Sequence, residues 1–349
     1  MTQSAKRVAV LGASGYTGAE LLRLLLVHPY AEIVALVGDS SAGKPIASIY
    51  PHFNGVDLPE ISTLDAVDWT HIDVAFCCLP HGASQKTIAA IPSHVVVIDL
   101  SADYRLRDAD VYEQWYGEPH LNADLLAEAV YGLSEINREA IAEARIIACP
   151  GCYPTSVQLP LIPLLKLELI TGDMLVIDAK SGVTGAGRAT RQSNIFCEIN
   201  EGVGAYAVGS HRHCPEIEQG LSLAAGRNVT VSFTPHLIPM NRGILSTIYA
   251  SLDIGVTVNE VRNGLKRAYE GLPFVTICDE NDPIPTTHQV RGSNRCIIGV
   301  YPDRQAGRVI IISVIDNLLK GASGQALQNF NIKFAFDETT GLGVSAFFP

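Results

Sequence analysis

The sequence predicts an α/β protein of two domains, and three observations carry that expectation. A chain of 349 residues is a little over twice a typical domain length. Its first half alternates short β-branched runs with helical stretches, the pattern of a parallel sheet wound with helices. Its second half sets strands on shorter or irregular connections, which predicts a largely antiparallel α+β domain.

The elements follow in order. Arg7–Leu11 reads as a first strand, Gly18–His28 as a helix stopped at Pro29, and Ile33–Val37 as a second strand. Asp73–Cys78, Val95–Asp99 and Arg145–Ala148 are further strands, nearly continuous in apolar residues as expected where helices cover both faces. Met174–Asp178, Val229–Phe233, Gly243–Ser251, Ile297–Val300 and Val309–Ser313 are strands of the second domain, with a helix over Val258–Tyr269. Asn317–Phe330 reads as a loop followed by a helix that crosses back to the first domain. The Pro160/Pro163 stretch stays ambiguous, because each proline would break or kink a helix.

Hydrophobic residues at 47% and charged residues at 17% exclude disorder. Against 36 acidic residues stand 25 basic ones, a net charge of −11 that argues against a nucleic-acid or anionic-membrane surface. No apolar run reaches the ~18–20 residues of a membrane span. The first residues run into a strand without a secretory apolar region of ~7–15 residues. Eight cysteines scattered along a long chain point to reduced thiols and a cytoplasmic location.

Gly12, Gly15 and Gly18 lie between the first strand and the first helix. Gly12 suits the tight turn, Gly15 lets backbone N–H groups approach a pyrophosphate, and Gly18 lets the helix pack closely. The spacing is a variant of the dinucleotide fingerprint and gains weight from its strand–turn–helix context. After the second strand, Asp39 would accept from a ribose 2′-hydroxyl and favour NAD, whereas Ser40, Ser41 and Lys44 would hold a 2′-phosphate. Residue chemistry leaves both readings open.

Cys152 follows a strand and precedes a helical turn expected to begin at Pro154. A helix N-terminus there lowers a thiol pKa and raises the thiolate fraction, and Gly151 leaves room for a substrate carbonyl. Cys77, Cys78, Cys197, Cys214, Cys278 and Cys296 lack such surroundings and read as packing residues. Cys149 and Cys152 spell C-x-x-C, which reads as redox-active or metal-binding; no second ligand pair accompanies them, so no metal site is expected. His211 and His213 precede a helix opened by Pro215 and are the candidates for proton transfer. Glu216 either orients an imidazole or complements the helix dipole. Arg105 and Arg188 are candidate anion handles for the substrate.

Taken together, the stretches Gly12–Glu20, Asp99–Arg105, Pro150–Thr155, Ser181–Arg188, His211–Ile217, Phe233–His236 and Asn317–Ala322 resemble the N-acetyl-gamma-glutamyl-phosphate reductase family, related to aspartate-semialdehyde dehydrogenase. The Pro-Gly-Cys-Tyr-Pro-Thr and His-Arg-His-x-Pro-Glu-Ile pieces are the most specific. The resemblance implies a Rossmann-like NADP domain over 1–151 and 316–349, and an α+β catalytic and subunit-contact domain over 152–315. It implies Cys152 as nucleophile with His211, His213 and Glu216 beside it. For the cofactor it implies NADP, held by Gly12, Ser14, Gly15, Tyr16, Thr17, Gly18, Ser40, Ser41, Lys44 and Asn317. It further implies a homo-oligomer, dimer or tetramer. Cys149 departs from the family, many of whose members carry Asn there. The reaction implied is NADPH-dependent reduction of N-acetyl-L-glutamyl 5-phosphate to the 5-semialdehyde through a Cys152 thioester, a step of arginine biosynthesis. The rival readings are a sister enzyme acting on aspartyl or carrier-linked acyl phosphate, and a non-catalytic nucleotide-sensing protein.

Overall fold

The structure is a computed structural model that describes residues 4–190 and 192–347. The chain divides into two compact units. One comprises the described residues up to Pro150 together with Ala322–Gly343, and the other runs from Gly151 to Gly321 and takes in the residues from Val344. The return to the first unit thus falls at Ala322, later than the boundary drawn at 316, and the C-terminal tail groups with the second unit.

In the first unit seven strands form one parallel sheet: β1 (Lys6–Leu11), β2 (Ala31–Val37), β3 (Ile61–Ser62), β4 (Val74–Cys77), β5 (Val96–Asp99), β6 (Val130–Tyr131) and β7 (Ile146–Ala148). Their spatial order is β3-β2-β1-β4-β5-β7-β6. The order turns outward on both sides of β1, which opens a crevice at the strands' carboxyl ends. Helices α1 (Tyr16–Leu25), α2 (Ser84–Ala90), α3 (Ala109–Tyr116), α4 (Ala123–Glu128) and α5 (Arg138–Glu143) fill the crossovers. Val8–Leu11 and Val74–Cys77 are fully buried, so these strands show no polar alternation.

Seven strands also form the second unit's sheet: β8 (Leu175–Ser181), β9 (Gly204–Ala205), β10 (Val231–Leu237), β11 (Ile244–Ser251), β12 (Val275–Ile277), β13 (Cys296–Pro302) and β14 (Arg308–Ile315). The order is β12-β13-β14-β11-β8-β10-β9, antiparallel except for the β12–β13 and β8–β10 pairs. Helices α6 (Cys152–Lys166), α8 (Cys214–Ala225) and α9 (Val258–Ala268) pack against it; α7 (Phe196–Ile199) is a short helix in the β8–β9 connection.

Three local expectations change. Helix α1 begins at Tyr16, inside the glycine turn, because Gly15 already has the extended geometry of an N-cap. Helix α6 runs unbroken through Pro160 and Pro163. Pro163 leaves the Leu159 carbonyl without its helical donor, and the Tyr269 hydroxyl donates to that carbonyl instead. The expected loop after Asn317 contains a π-helical turn, Leu319–Ser323, that runs straight into α10 (Gly324–Lys333).

Helix α10 belongs to the first unit although its sequence carries little apolar periodicity. Its buried amides supply the reason: Asn329 Nδ2 donates to the Gly132 carbonyl at 2.8 Å, and Asn331 Oδ1 meets His28 Nε2 at 2.9 Å. Ser134 donates to Asn329 Oδ1 at 2.6 Å. A polar helix is buried here because these amides find partners.

Candidate active site

Each unit carries candidate site residues of its own. In the first, β1 and β2 end in register, Leu11 beside Val37, so the Gly12–Gly18 turn and the Gly38–Lys44 segment leave adjacent strand ends. Gly12 has φ +77°, and its N–H donates to the Val37 carbonyl at 2.8 Å. A Cβ at Gly12 would lie 2.3 Å from the Cys78 carbonyl oxygen, and one at Gly18 would lie 2.5 Å from that of Gly12. Both positions therefore require glycine for the fold itself. Gly15 differs, since its nearest neighbour would stand at an ordinary 3.5 Å.

No side chain caps α1, and its first turn holds no acidic residue. Its N-terminal N–H groups and partial positive charge suit a pyrophosphate, so the residues present fit a dinucleotide. Around this turn, the Tyr50 hydroxyl donates to the Ser14 carbonyl at 2.9 Å, and Ser323 donates to that of Thr17 at 2.8 Å. Tyr16 is half-buried. Beyond β2, Asp39–Ser41 forms a 3₁₀ turn with Ser41 buried, while Asp39, Ser40 and Lys44 are exposed.

In the second unit Cys152 is the first residue of α6, two positions earlier than Pro154, and is half-buried. Gly151 is the N-cap, and its N–H donates to Glu216 Oε1 at 2.7 Å. Glu216 is 1% exposed, so this buried carboxylate holds the backbone from which Cys152 springs. Gln158 Nε2 in turn donates to the Glu216 carbonyl at 2.7 Å. The π-helical turn closes on Cys152 from another side: a Cβ at Gly321 would stand 2.7 Å from Cys152 Cβ and 3.2 Å from its Cα.

His211 sits in an aromatic cage, with the rings of Tyr153, Tyr206 and Phe233 at 5.6, 5.4 and 5.4 Å and that of His213 at 4.8 Å. Burial, with the charge of Arg212, pushes its pKa down to about 4, so the ring is neutral at neutral pH. Its Nδ1 accepts from the His213 N–H at 3.1 Å, which leaves the hydrogen on Nε2. The Tyr206 hydroxyl donates to that of Tyr153 at 3.2 Å, and Tyr153 donates to the His236 carbonyl at 3.3 Å. Burial raises both phenol pKa values, that of Tyr206 to about 12, which keeps them as donors.

Arg105 is 9% exposed; its Nε donates to the Cys149 carbonyl at 2.7 Å and an Nη to that of Leu100 at 2.9 Å. Arg188 is exposed. Asn317 lies in the second unit, accepting from the Gly243 N–H at 2.8 Å and donating to the Thr184 hydroxyl at 2.9 Å. Cys149 is 1% exposed, its thiol pKa pushed up to about 12 by burial, with Asn329 Nδ2 at 3.5 Å. Cys197 is a correction: it is exposed, because its short helix α7 buries no residue. Among the described residues no group of three or more His, Cys, Asp or Glu stands together as a metal site.

Sequence reasoning passed over Tyr153, Tyr206, Phe233 and Gly321. Tyr206 lies in a stretch without motif, and only the fold brings it to His211. Gly321 lay inside a recognised stretch, and its proximity to Cys152 comes from the π-helical turn.

Two family models match the chain: the semialdehyde dehydrogenase NAD binding domain over residues 7–144 and the semialdehyde dehydrogenase dimerisation domain over 152–317. The chain is 55% identical to an N-acetyl-gamma-glutamyl-phosphate reductase of Rhodospirillum rubrum, over 98% of each chain. It is 53% identical to a probable chloroplastic N-acetyl-gamma-glutamyl-phosphate reductase of Arabidopsis thaliana, over 98% of this chain and 85% of that one. Among solved structures it resembles aspartate semialdehyde dehydrogenase II of Vibrio cholerae, with TM-score 0.71 and 18% identity over 94% of this chain and 98% of that one. The Candida albicans aspartate semialdehyde dehydrogenase solved with NADP gives TM-score 0.68 and 19% identity over the same shares. At such identities these two likenesses show the fold.

Proposed function

Because the chain belongs to the semialdehyde dehydrogenase family, and within it to the N-acetyl-gamma-glutamyl-phosphate reductases, we infer that it reduces N-acetyl-L-glutamyl 5-phosphate to N-acetyl-L-glutamate 5-semialdehyde with release of phosphate. The observation that carries this reading is Cys152 at the first position of α6, its N-cap gripped by buried Glu216. A thiol is required because a thioester is activated toward hydride and its sulfur leaves again.

The steps follow from the side chains. The Cys152 thiolate attacks the acyl carbon, a C–S bond forms, and phosphate leaves, steadied by Arg105, with Arg188 a second anion handle. A nicotinamide dinucleotide, when bound, would supply the hydride that the thioester carbon accepts. The resulting oxyanion re-forms the carbonyl and expels the Cys152 thiolate, so this half-reaction consumes no proton. A neutral His211 with hydrogen on Nε2 serves as donor to that oxyanion, while Tyr206, its hydrogen committed to Tyr153, and Tyr153, its hydrogen committed to the His236 carbonyl, hold the rings that cage the imidazole. His213 is left to take the thiol proton in the first half. Glu216 positions the Gly151 backbone.

For the cofactor, the coarse assignment is a nicotinamide dinucleotide. NADP is proposed on Ser40, Ser41 and Lys44, with Gly12–Gly18 on the pyrophosphate and Asn317 toward the nicotinamide end. The assembly proposed is a homo-oligomer. Its support is the outward face of the second sheet, where half-buried Leu245, Tyr249, Ile297, Ile310 and Ile312 lie opposite the helix-covered side. Among the described residues no helix is long and apolar enough to cross a membrane. The cytoplasm is proposed from the reduced cysteines.

The test is the reverse reaction, following NADPH formation from NADP, phosphate and each semialdehyde. Turnover on N-acetyl-L-glutamate 5-semialdehyde well above that on aspartate semialdehyde is expected. The opposite preference, or none, would contradict the assignment.

A further inference from the structure

We propose that Asp99 is held as a neutral carboxylic acid heading a chain of three hydrogens, Asp99 to Ser101 to Ser84 to Asp103, which makes it a positioning residue for the 99–105 loop.

Ser101 Oγ stands 2.7 Å from Asp99 Oδ2 and 2.5 Å from Ser84 Oγ, and Ser84 Oγ stands 2.8 Å from Asp103 Oδ2. Three oxygen–oxygen contacts of hydrogen-bond length each need one hydrogen. The two serines supply two. With both carboxylates ionised, Ser101 would turn to Asp99 and Ser84 to Asp103. Two bare oxygens would then face each other at 2.5 Å, deep in the protein. A third hydrogen, on one carboxyl, completes the chain.

That hydrogen belongs on Asp99. Asp103 already accepts from the Gly82 N–H at 2.8 Å, the Ser84 N–H at 3.2 Å, the Ser84 hydroxyl and the Tyr112 hydroxyl at 2.8 Å. Gln85 donates to the Tyr112 oxygen at 3.0 Å, which commits the phenol hydrogen to Asp103. So many donors stabilise an anion. Among the described residues, Asp99 Oδ1 receives only the Ser101 N–H, at 3.0 Å. The Asp103 N–H at 3.2 Å takes the remaining lone pair of Ser101 Oγ. Asp99, Asp103 and Ser84 are all 0% exposed and Ser101 is 3% exposed.

The groups facing Asp99 agree. Asp103 and Arg105 lie on its own loop with Tyr104, Cys77 and Cys78 come from the end of β4, and Cys149 follows β7. Burial keeps the three thiols and the phenol in their neutral forms, leaving Arg105 as the compensating cation and Asp103 as a repelling anion. Burial outweighs the Ser101 hydrogen bonds and lifts Asp99 to about 7.

The chain acts on the strand end that leads to the nucleophile. The Asp99 carbonyl accepts from the Cys149 N–H at 2.7 Å, and Arg105 Nε donates to the Cys149 carbonyl at 2.7 Å. The two peptide groups that flank Cys149 are therefore held by the loop that Asp99 anchors, three residues before Cys152 in sequence. The kinetic consequence rests on the proposed reaction, whereas the protonation does not.

The test compares wild type with Asp99→Asn, whose amide N–H₂ can donate to Ser101 as the acid does. Infrared difference spectra at neutral pH should show the C=O stretch of a protonated carboxylic acid in wild type and not in Asp99→Asn. With a folded pKa above the ~3.9 of a free Asp, the native state binds the extra proton between the two values. Wild-type stability should thus fall as pH rises through about 7. Asp99→Asn should lack that fall and keep more of its kcat on the alkaline side. No acid band in wild type, or an unchanged stability slope in Asp99→Asn, overturns the proposal. Absence of acyl-phosphate turnover in wild type would instead refute the reaction and leave the infrared result standing.

Discussion

The two sheets hold their parts of the chemistry by different means. In the first unit the proposed dinucleotide cradle is seven consecutive residues, Gly12 to Gly18, whose useful groups are backbone N–H bonds at the end of one strand. In the second unit the surroundings of Cys152, the proposed nucleophile, come from Tyr153, Tyr206, His211 to Glu216, Phe233 and Gly321. A contiguous cradle depends on backbone shape and fails when a side chain intrudes. A convergent pocket depends on packing and fails by displacement. The lesson is that glycines which look alike in sequence differ in what they protect, and substitutions can sort them.

The largest expected effect is at the convergent pocket. Cys152→Ser should lose kcat by ~10³-fold or more, as removal of a covalent nucleophile does elsewhere, while nucleotide affinity measured by fluorescence titration stays unchanged. Serine activity within tenfold of wild type would break the division of labour between the units.

Next come the glycines of the cradle. Gly12→Ala forces a Cβ to 2.3 Å from a backbone carbonyl at φ +77°, so unfolding measurements should show a loss of at least ~1–3 kcal/mol. Gly15→Ala has room for its Cβ within the protein but places it over the uncapped start of α1. It should leave the thermal midpoint almost unmoved and weaken nucleotide binding. Equal destabilisation by both would erase the distinction between a structural and a binding glycine. Lys44→Glu should weaken NADP ~10–100-fold relative to NAD, the scale of a charge-assisted hydrogen bond. Equal losses for both cofactors would remove Lys44 from the 2′-phosphate.

Gly321→Ala is the counterpart in the second unit. Its Cβ would press on Cys152 Cβ and Cα, atoms that cannot rotate away. We expect ~1–3 kcal/mol of overpacking, read as lowered stability together with lowered kcat at unchanged nucleotide affinity.

The smallest effect is a pH dependence. His211 has its pKa lowered to about 4 against ~6.5 when unfolded, so between these values the unfolded chain binds the extra proton. Its contribution is present above ~6.5 and is lost as pH falls toward 4. Stability curves of wild type and His211→Asn should converge in acid, and parallel curves would place His211 in contact with water.

Much of the first unit could be read from sequence because its signals are local. The glycine turn, the apolar strands and Pro29 each act on their immediate neighbours. Helix α10 could not be read so, because its burial depends on Gly132, Ser134 and His28, far away in the chain. The run through Pro163 was hidden for the same reason, since its carbonyl partner is Tyr269. At the site, Cys152 and the histidines announced themselves by local motif. Glu216 was visible as a carboxylate but not as the acceptor of the Gly151 N–H, a contact spanning 65 positions. Tyr206 carried no sequence signal, because an aromatic in a loop looks alike whether or not a histidine packs on it.

The central claim is that Cys152 carries the acyl group, and it can be observed directly. Enzyme mixed with N-acetyl-L-glutamate 5-semialdehyde and NADP, with phosphate withheld, should form about one NADPH per active site in a burst and then stall. Digestion and mass spectrometry should find the N-acetylglutamyl group on the peptide containing Cys152, and added phosphate should release it and restart turnover. No burst, or acylation at any other residue, would contradict the account.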